Sequence, residues 1–333
     1  NTTILFREYP NTQEKNNKGE IIKTMEDIYT WSNDMYPLVK KSFDERYAQR
    51  INYIGEVAGI VTQGETSYKL DSLGGYGLLS DYNGTLSVSG GTGGFTKTIT
   101  PKEHALAMPV SYKDAKTDML FAAKKVGVRL ADSAYMTVWH AFCKLFGTAQ
   151  TAVGADGVAW ASKNHPVSSA SGSTKFSNLM ESELSLDAIC TAQASLASVT
   201  TADGLPFTAN YDLLLVSPDL ESTAKTLCGV NAQAAPLTNP KTGVGGNPVY
   251  GMRYMVIGGV DGFGSGKWAI ADSALLSEAL KLVYLSEPTV LVSPRENPLV
   301  TDYVAYVDFA FGFGDARAII FSDPSLAKKN DNT

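Results

Sequence analysis

An α+β fold is predicted for this chain, on three observations made along the sequence. Between residues 56 and 111, short alternating runs are separated by GGYG (74–77) and SGGTGGF (89–95), the pattern of antiparallel hairpin strands with glycine tips. Residues 114–146 carry one long helical stripe, Val128, Ala131, Tyr135, Val138, Trp139, Phe142, Leu145 and Phe146, closed by Gly147. From 185 onward strands and helices alternate, and the chain then ends in long strands over 282–322.

The segment at 1–20 is polar, contains Pro10 and Gly19, and offers no periodic apolar face, which reads as an extended arm that packs on something else. Thr24, Glu26 and Asp27 then open a helical segment in which Ile28, Trp31, Met35, Leu38, Val39 and Phe43 recur at helical spacing. Pro37 interrupts it, so two short helices or one kinked helix are expected over 24–50.

The ribbon strands are SYKL (67–70), GTLSVS (84–89), FTKTIT (95–100) and HALAMPVSY (104–112). A two-stranded ribbon that is polar on both faces buries too little apolar area to stand alone and is expected to lie on a neighbour. The long helix spans roughly 45–50 Å at about 1.5 Å per residue. Beyond it come a polar segment (162–176), a helix (185–198), a buried strand (211–217), a helix (218–227) and a polar loop (229–248). Strands at 252–258 and 267–272 and a short helix at 272–281 complete the block. In the closing strand Val300, Tyr303, Ala305, Val307, Phe309 and Phe311 alternate with Thr301, Val304, Tyr306 and Asp308, as in a half-buried strand.

Composition narrows the function. The chain has 333 residues, 44% hydrophobic and 19% charged, which is a globular balance with room for a sizeable core. A net charge of −6 argues against a protein that grips nucleic acid over its whole surface, since phosphate binding needs clustered Lys and Arg. Cys143, Cys190 and Cys228 are odd in number, far apart and in no CxxC pair, so they read as reduced apolar side chains and not as a disulfide or zinc framework. There is no run of eighteen apolar residues and no signal pattern at the start, so no membrane partner is expected. The chain opens at Asn1 without an initiator methionine, and proteolytic removal of a segment is one of several ways this can arise.

Catalytic readings find little to stand on. GFGSGKW (262–268) carries Gly-Lys after glycines, but a phosphate loop needs Gly where Asp261 stands and Ser or Thr where Trp268 stands, so a hairpin turn is expected. Gly75-x-Gly77, Gly91-x-Gly93, Gly243-x-Gly245 and Gly312-x-Gly314 are followed by Ser80, Thr96, Pro248 and Arg317 where a dinucleotide fingerprint needs a third glycine. His140 and Cys143 share a helical face but lack a second ligand pair, His165 precedes Pro166 in a turn, and His104 at the foot of the ribbon has no evident partner. Glu181 with Glu183 and Asp302 with Asp308 are expected as solvated or interface charges. No GxSxG elbow occurs. No catalytic, metal or cofactor residue is therefore assigned, and no enzyme activity is expected.

The order of parts (arm, glycine-tipped hairpin, very long helix, α/β block, long closing strands) resembles that of HK97-type capsid proteins. Four segments are similar to the Mu-like major head subunits within that group: DGVAWASKNHPV (156–167), YDLLLVSPDLESTAKTL (211–227), KWAIADSALLSEAL (267–280) and FGFGDARAIIFSDPS (311–325). The resemblance implies an N-terminal arm with short helices (1–55), an E-loop hairpin (56–111), a P-domain (112–184 and 283–333, with the spine helix at 114–146) and an A-domain (185–282). It further implies a major capsid protein assembled in the host cytoplasm into pentamers and hexamers, forming an icosahedral virion shell. That shell would enclose double-stranded DNA without reading its sequence. The A-domain would converge at the ring axes with 229–248 as the axis loop, and Trp139, Phe142, Phe309 and Phe311 would pack the floor. Portal, scaffold and decoration proteins stay open as partners. No Lys/Asn/Glu crosslinking constellation is identified. An encapsulin-like cargo shell is the alternative within the fold, and a soluble α/β enzyme with an unfamiliar site is the alternative outside it.

Overall fold

The computed structural model describes residues 25–50, 52–72, 81–82, 84, 94–169, 173–197, 199–201, 203–229, 238–239, 243–244, 249–295, 297 and 299–330. The expected arm at 1–20, the ribbon run GTLSVS beyond Gly84 and most of the loop at 229–248 lie outside these residues. In chain order the elements begin with α1 (Met25–Ala48), α2 (Asn52–Gly55), β1 (Gly59–Thr62), β2 (Tyr68–Asp71), β3 (Thr96–Ile99), β4 (Lys102–Ser111), α3 (Tyr112–Thr117) and α4 (Met119–Gly147). The middle of the chain holds β5 (His165–Pro166), β6 (Lys175–Phe176), β7 (Leu179–Met180), α5 (Leu186–Ala197), β8 (Leu213–Val216), α6 (Glu221–Leu227), β9 (Thr238–Asn239) and β10 (Gly243–Val244). It closes with β11 (Arg253–Val256), β12 (Trp268–Ala271), α7 (Ser273–Ala279), β13 (Leu280–Pro294), β14 (Val300–Phe313), β15 (Ile319–Ser322) and α8 (Pro324–Asn330).

The chain divides into two compact units, the first made of residues 1–46, 105–132 and 289–305, the second of 47–104, 133–288 and 306–333. Helices α1 and α4 and strands β4, β13 and β14 contribute residues to both.

In the first unit, α1 is one helix and not two, and Pro37 stands inside it. Trp31, Met35, Val39 and Phe43 form a buried seam that stays in register past Pro37, whose ring points to the exposed side. Tertiary burial of that seam outweighs the one backbone bond the proline removes. At Gly127 of α4 an added Cβ would fall 2.5 Å from the Val39 carbonyl oxygen, so the two helix backbones meet where only glycine fits. Tyr303 donates to the Ser32 carbonyl at 2.9 Å, and Tyr36 to that of Val290 at 3.1 Å, which ties α1 to the closing strands of the same unit.

The long helix starts at Met119, later than expected, because Asp118 breaks the chain there with φ −155° and ψ 91°. Ser111 caps α3 by accepting from Asp114 N, and Asp118 Oδ1 accepts from Phe121 N at 2.9 Å, capping the next helix. The remaining 29 residues of α4 span about 43 Å. Gly147 closes the helix for a different reason than a left-handed cap: its Cβ would lie 2.1 Å from the Asp261 carbonyl oxygen.

In the second unit a five-stranded sheet runs in the order β11-β8-β12-β15-β7, with β11 parallel to β8, β12 antiparallel to β8 and β15, and β7 parallel to β15. Strands β8, β12 and β15 are buried at every position. The period of two explains this: Leu213, Leu215, Ala269, Ala271, Ile319 and Phe321 enter a core with Phe142, Phe146 and Trp160. Leu214, Val216, Trp268, Ile270 and Ile320 enter another core with Ile189, Ala192 and Ala224. The sheet draws on residues 179–180 and 319–322 as well as on the 185–282 stretch.

The sequence reading of an unbroken closing strand is corrected. β14 ends at Phe313, Asp315 caps a short turn at Ala316–Ala318, and β15 crosses into the five-stranded sheet. Thr301, placed on the outer face from sequence, is buried with Tyr303, Ala305, Val307 and Phe309, because the odd positions of β14 share the covered face.

Candidate assembly surfaces

The ribbon root is well defined. β2 and β3 pair antiparallel from Tyr68↔Ile99 to Asp71↔Thr96, and Ser72 closes the pair by donating its N–H to the Phe95 carbonyl and accepting from Phe95 N with its hydroxyl, both at 2.7 Å. Leu70 and Ile99 are buried against Val283, with Ala310 packed on the same cluster. A Cβ at Gly312 would fall 2.2 Å from the Ile99 side chain and one at Gly314 would fall 3.3 Å from Leu70, so these glycines form the seat on which the root rests. Lys97 donates to the Val153 carbonyl at 2.6 Å, with its ammonium 4.1 Å from the centre of the Phe313 ring. Burial holds this lysine below the usual ammonium range, and the charge of Asp156 partly offsets it.

The last run of the expected ribbon, 104–112, has a different place: up to Ser111 it lies in β4, one edge of a four-stranded sheet whose other edge is β1. β1 pairs in parallel with β13, from Gly59↔Lys281 to Thr62↔Tyr284, and is an edge of the four-stranded sheet β1-β13-β14-β4. Pro288 of β13 lies past the stretch that β1 covers, where a missing backbone donor is tolerated.

A cleft of about 450 Å³ opens in the second unit, lined by Lys97, Lys102, His104 and Lys144 around a floor that includes Phe309 and Phe311. His104 stands 4.9 Å from Phe309, ring centre to ring centre, and its Nδ1 meets the Lys102 carbonyl at 2.8 Å. In the first unit a groove of about 640 Å³ lies among Met108, Val110, Phe121, Lys113, Lys125 and Arg129, and Phe121 is exposed.

The remaining sequence candidates are engaged in local structure. His140 faces Asp261 at 3.3 Å on the exposed side of α4, whereas Cys143 is buried, with its thiol pushed up to about 12 by burial; the two do not converge. His165 is buried, with Nδ1 2.5 Å from Asp156 Oδ2 and Nε2 near Asn178 Oδ1 (3.1 Å) and the Trp160 carbonyl (3.2 Å). Asn178 Nδ2 donates to the Trp160 and Ala316 carbonyls while its Oδ1 accepts from Ser162 N, so the His-Pro turn is a buried junction and not an open loop. The glycine run at 262–268 is a turn held by Asp219, which accepts from Ser265 Oγ and Gly266 N, and Gly266 has φ +75°. Among the described residues no group of three or more His, Cys, Asp or Glu could hold a metal ion. No helix there is long and apolar enough to cross a membrane.

The carboxylates correct one expectation. Glu181 pairs with Lys163 at 2.6 Å as a surface charge does; Asp302 pairs with Arg295 at 2.7 Å, but its Oδ1 is buried and finds no hydrogen-bond partner among the described residues. Asp308, however, is buried; burial and then the charge of Glu103 raise its pKa above the usual carboxylate range, and its Oδ1 finds no hydrogen-bond partner among the described residues.

Asp323 was not singled out from sequence, although it gathers four hydrogen bonds: from Lys267 Nζ (2.9 Å), Gln150 Nε2 (2.7 Å), Ser325 Oγ (2.6 Å) and Ser325 N (3.0 Å). Burial alone would raise its pKa, but these donors and the Lys267 charge win and bring it to about 2. A carboxylate depressed in the folded state stabilises above its unfolded value near 4 and loses that contribution as pH falls toward 2. Asp323→Asn is therefore expected to cost on the order of 2 kcal/mol at neutral pH and to flatten the loss of stability between about pH 4 and 2. Chemical denaturation at a series of pH values would show it; parallel curves for the two proteins would sink the assignment.

The sequence pattern of a family described as phage capsid protein matches residues 94–321. No curated protein matches the chain. Among solved structures, the chain is similar to the virus-like particle from Pyrococcus furiosus, with 10% identity, a TM-score of 0.50, and coverage of 86% of this chain and 99% of that one. It is also similar to the SrpI encapsulin of Synechococcus elongatus PCC 7942, with 9% identity, a TM-score of 0.49, and coverage of 82% and 86%. The procapsid of bacteriophage JBD30 aligns at 14% identity with a TM-score of 0.47, covering 88% of this chain and 76% of that one.

Proposed function

Since this chain belongs to the phage capsid protein family, we propose that it closes a virion head from pentamers and hexamers of itself, around double-stranded DNA held without sequence recognition. The fold is the HK97-type capsid fold, and the chain is a major capsid shell protein. The observation that carries this is the family match over 94–321, which takes in β3 of the ribbon root, the long helix, three strands of the four-stranded sheet and all but the last residue of the five-stranded one.

The physical support for the finer reading is a division of labour. In the second unit the two-sided sheet and the last turns of α4 share one core, and β2 and β3, seated on the same unit through Leu70 and Ile99, form the root from which the 73–93 segment departs. Rings of five and six need heterologous contacts, and extended pieces that satisfy their backbone on the next subunit supply many weak contacts at once. A shell wall of net charge −6 per subunit keeps packed duplex from adhering to it. The subunit is structural and carries out no reaction. Assembly in the host cytoplasm and the A- and P-domain boundaries rest on the order of parts shared with HK97-type capsid proteins, and a place nearest the Mu-like head subunits on the four sequence segments quoted above.

Electron microscopy of the purified chain tests the reading: rings and closed shells are expected, with an absorbance ratio showing nucleic acid inside particles recovered from infected cells. Shells that hold a cargo protein instead of DNA would move the chain to the encapsulin reading. A monodisperse monomer at every concentration would end both.

A further inference from the structure

Among the described residues the four-stranded sheet has two edges with no further strand on them, and they are of opposite character. At one edge stands β1, with Ile60 exposed on the strand, Glu56 and Glu65 exposed just before and after it, and Glu287 exposed where it accepts from Thr62 Oγ1. Helix α7 comes so close to this strand that a Cβ on Gly59 would meet the Ser277 carbonyl oxygen, and its Glu278 is exposed as well. The cation of this edge, Lys281, is half-buried and donates to Ser277 O at 2.8 Å. At the other edge stands β4, beside the cleft lined by Lys97, Lys102, His104 and Lys144. No carboxylate lines that cleft; Asp261 reaches Lys144 from outside at 3.7 Å, and Glu103 is turned to Tyr306. Three inter-strand steps separate the edges, about 14 Å.

We propose that copies of this chain join head to tail through these edges, the β1 edge of one seated in the cationic cleft of the next. The inference rests on the shell reading and names the contact that reading needs. Both halves match in kind: Ile60 between glutamates on one side, an apolar floor of Phe309, Phe311 and Leu145 between lysines on the other. An exposed edge strand carrying an apolar residue is a surface that folded chains ordinarily cover. Because the joining surfaces differ, each copy offers one of each, and the contact propagates into a ring instead of stopping at a dimer. A duplex is a poorer fit to the cleft, since its phosphates lie on a convex cylinder and the lysines line a narrow concavity with an aromatic base.

The test is sedimentation velocity of the full chain with paired charge reversals at exposed positions. Glu56→Lys with Glu65→Lys, and separately Lys102→Glu with Lys144→Glu, should each raise the concentration needed for rings at least about tenfold, because like charges then face each other. The variant carrying all four changes should recover ring formation, and an equimolar mixture of the two double variants should form rings of even number. Unchanged thermal melts, with Gln in place of the reversed residues as a milder series, keep misfolding apart from lost pairing. If wild type makes no rings, the shell reading falls and this contact with it. If wild type assembles while the double variants assemble equally well, or while the fourfold variant stays as impaired as they are, the shell reading stands and this contact is wrong.

Discussion

Replacing Asp315 by alanine is expected to cost the subunit about 3–5 kcal/mol, among the largest losses available to a single side chain here. The pair it breaks is almost wholly out of solvent, Arg317 being 5% exposed and Asp315 7%. Arg317 donates from Nε and Nη2 to both carboxylate oxygens, at 3.0, 3.2 and 2.6 Å, and from its own N–H at 2.9 Å. Its guanidinium lies 5.2 Å from the centre of the Phe207 ring, and its carbonyl accepts from Tyr211. Removing the carboxylate takes from a buried guanidinium the counter-charge and the hydrogen bonds that Asp315 supplies, at the turn that sends the chain from one sheet to the other. Urea unfolding of the dissociated subunit measures the loss. Asp315→Leu combined with Arg317→Met should lose much less, since no charge is then stranded; equal losses in the two variants would refute the account.

The second large effect is on assembly and leaves the fold intact. A variant in which residues 72–95 are replaced by an Asn-Gly turn should give a folded subunit that makes no heat-resistant particles. Asp71 and Thr96 are already cross-strand partners, so a tight turn can join them, and Leu70 and Ile99 keep their seat on Gly312 and Gly314. Far-ultraviolet circular dichroism should therefore resemble wild type. Recovery of shells with the heat resistance of wild type would discard the role assigned to the ribbon.

Much of this architecture was legible because it follows from periodicity. The stripe on α4 placed Ala131, Tyr135, Val138, Phe142 and Phe146 on its buried side, and the short apolar runs at 211–217 and 267–272 became two strands buried on both faces. What escaped was set by single side chains acting on the backbone. Asp118 ends one helix and caps another, a signal present in the sequence as a carboxylate three residues before Phe121. Asp315 does the same at the strand crossing. Pro37 misled in the opposite sense, since local propensity lost to the seam around it. Of the expected floor, Phe142 and Phe309 are buried while Trp139 and Phe311 are only partly so. The hub is Trp160, stacked 4.7 Å from Phe313 and in contact with Phe146 and Phe321, residues far apart in the chain that no local pattern brings together. The charge asymmetry of the two sheet edges was equally invisible, because it depends on strand order and not on spacing.

The sheet enclosed on both faces also bears on how such chains diverge. Apart from Ser322, which donates to the Ser182 carbonyl, its three inner strands carry water-averse side chains throughout but favour no particular one, so the requirement is met by a vocabulary and not by a spelling. Two chains can therefore follow a similar backbone path with few letters in common, as at the 10% identity to the Pyrococcus furiosus particle.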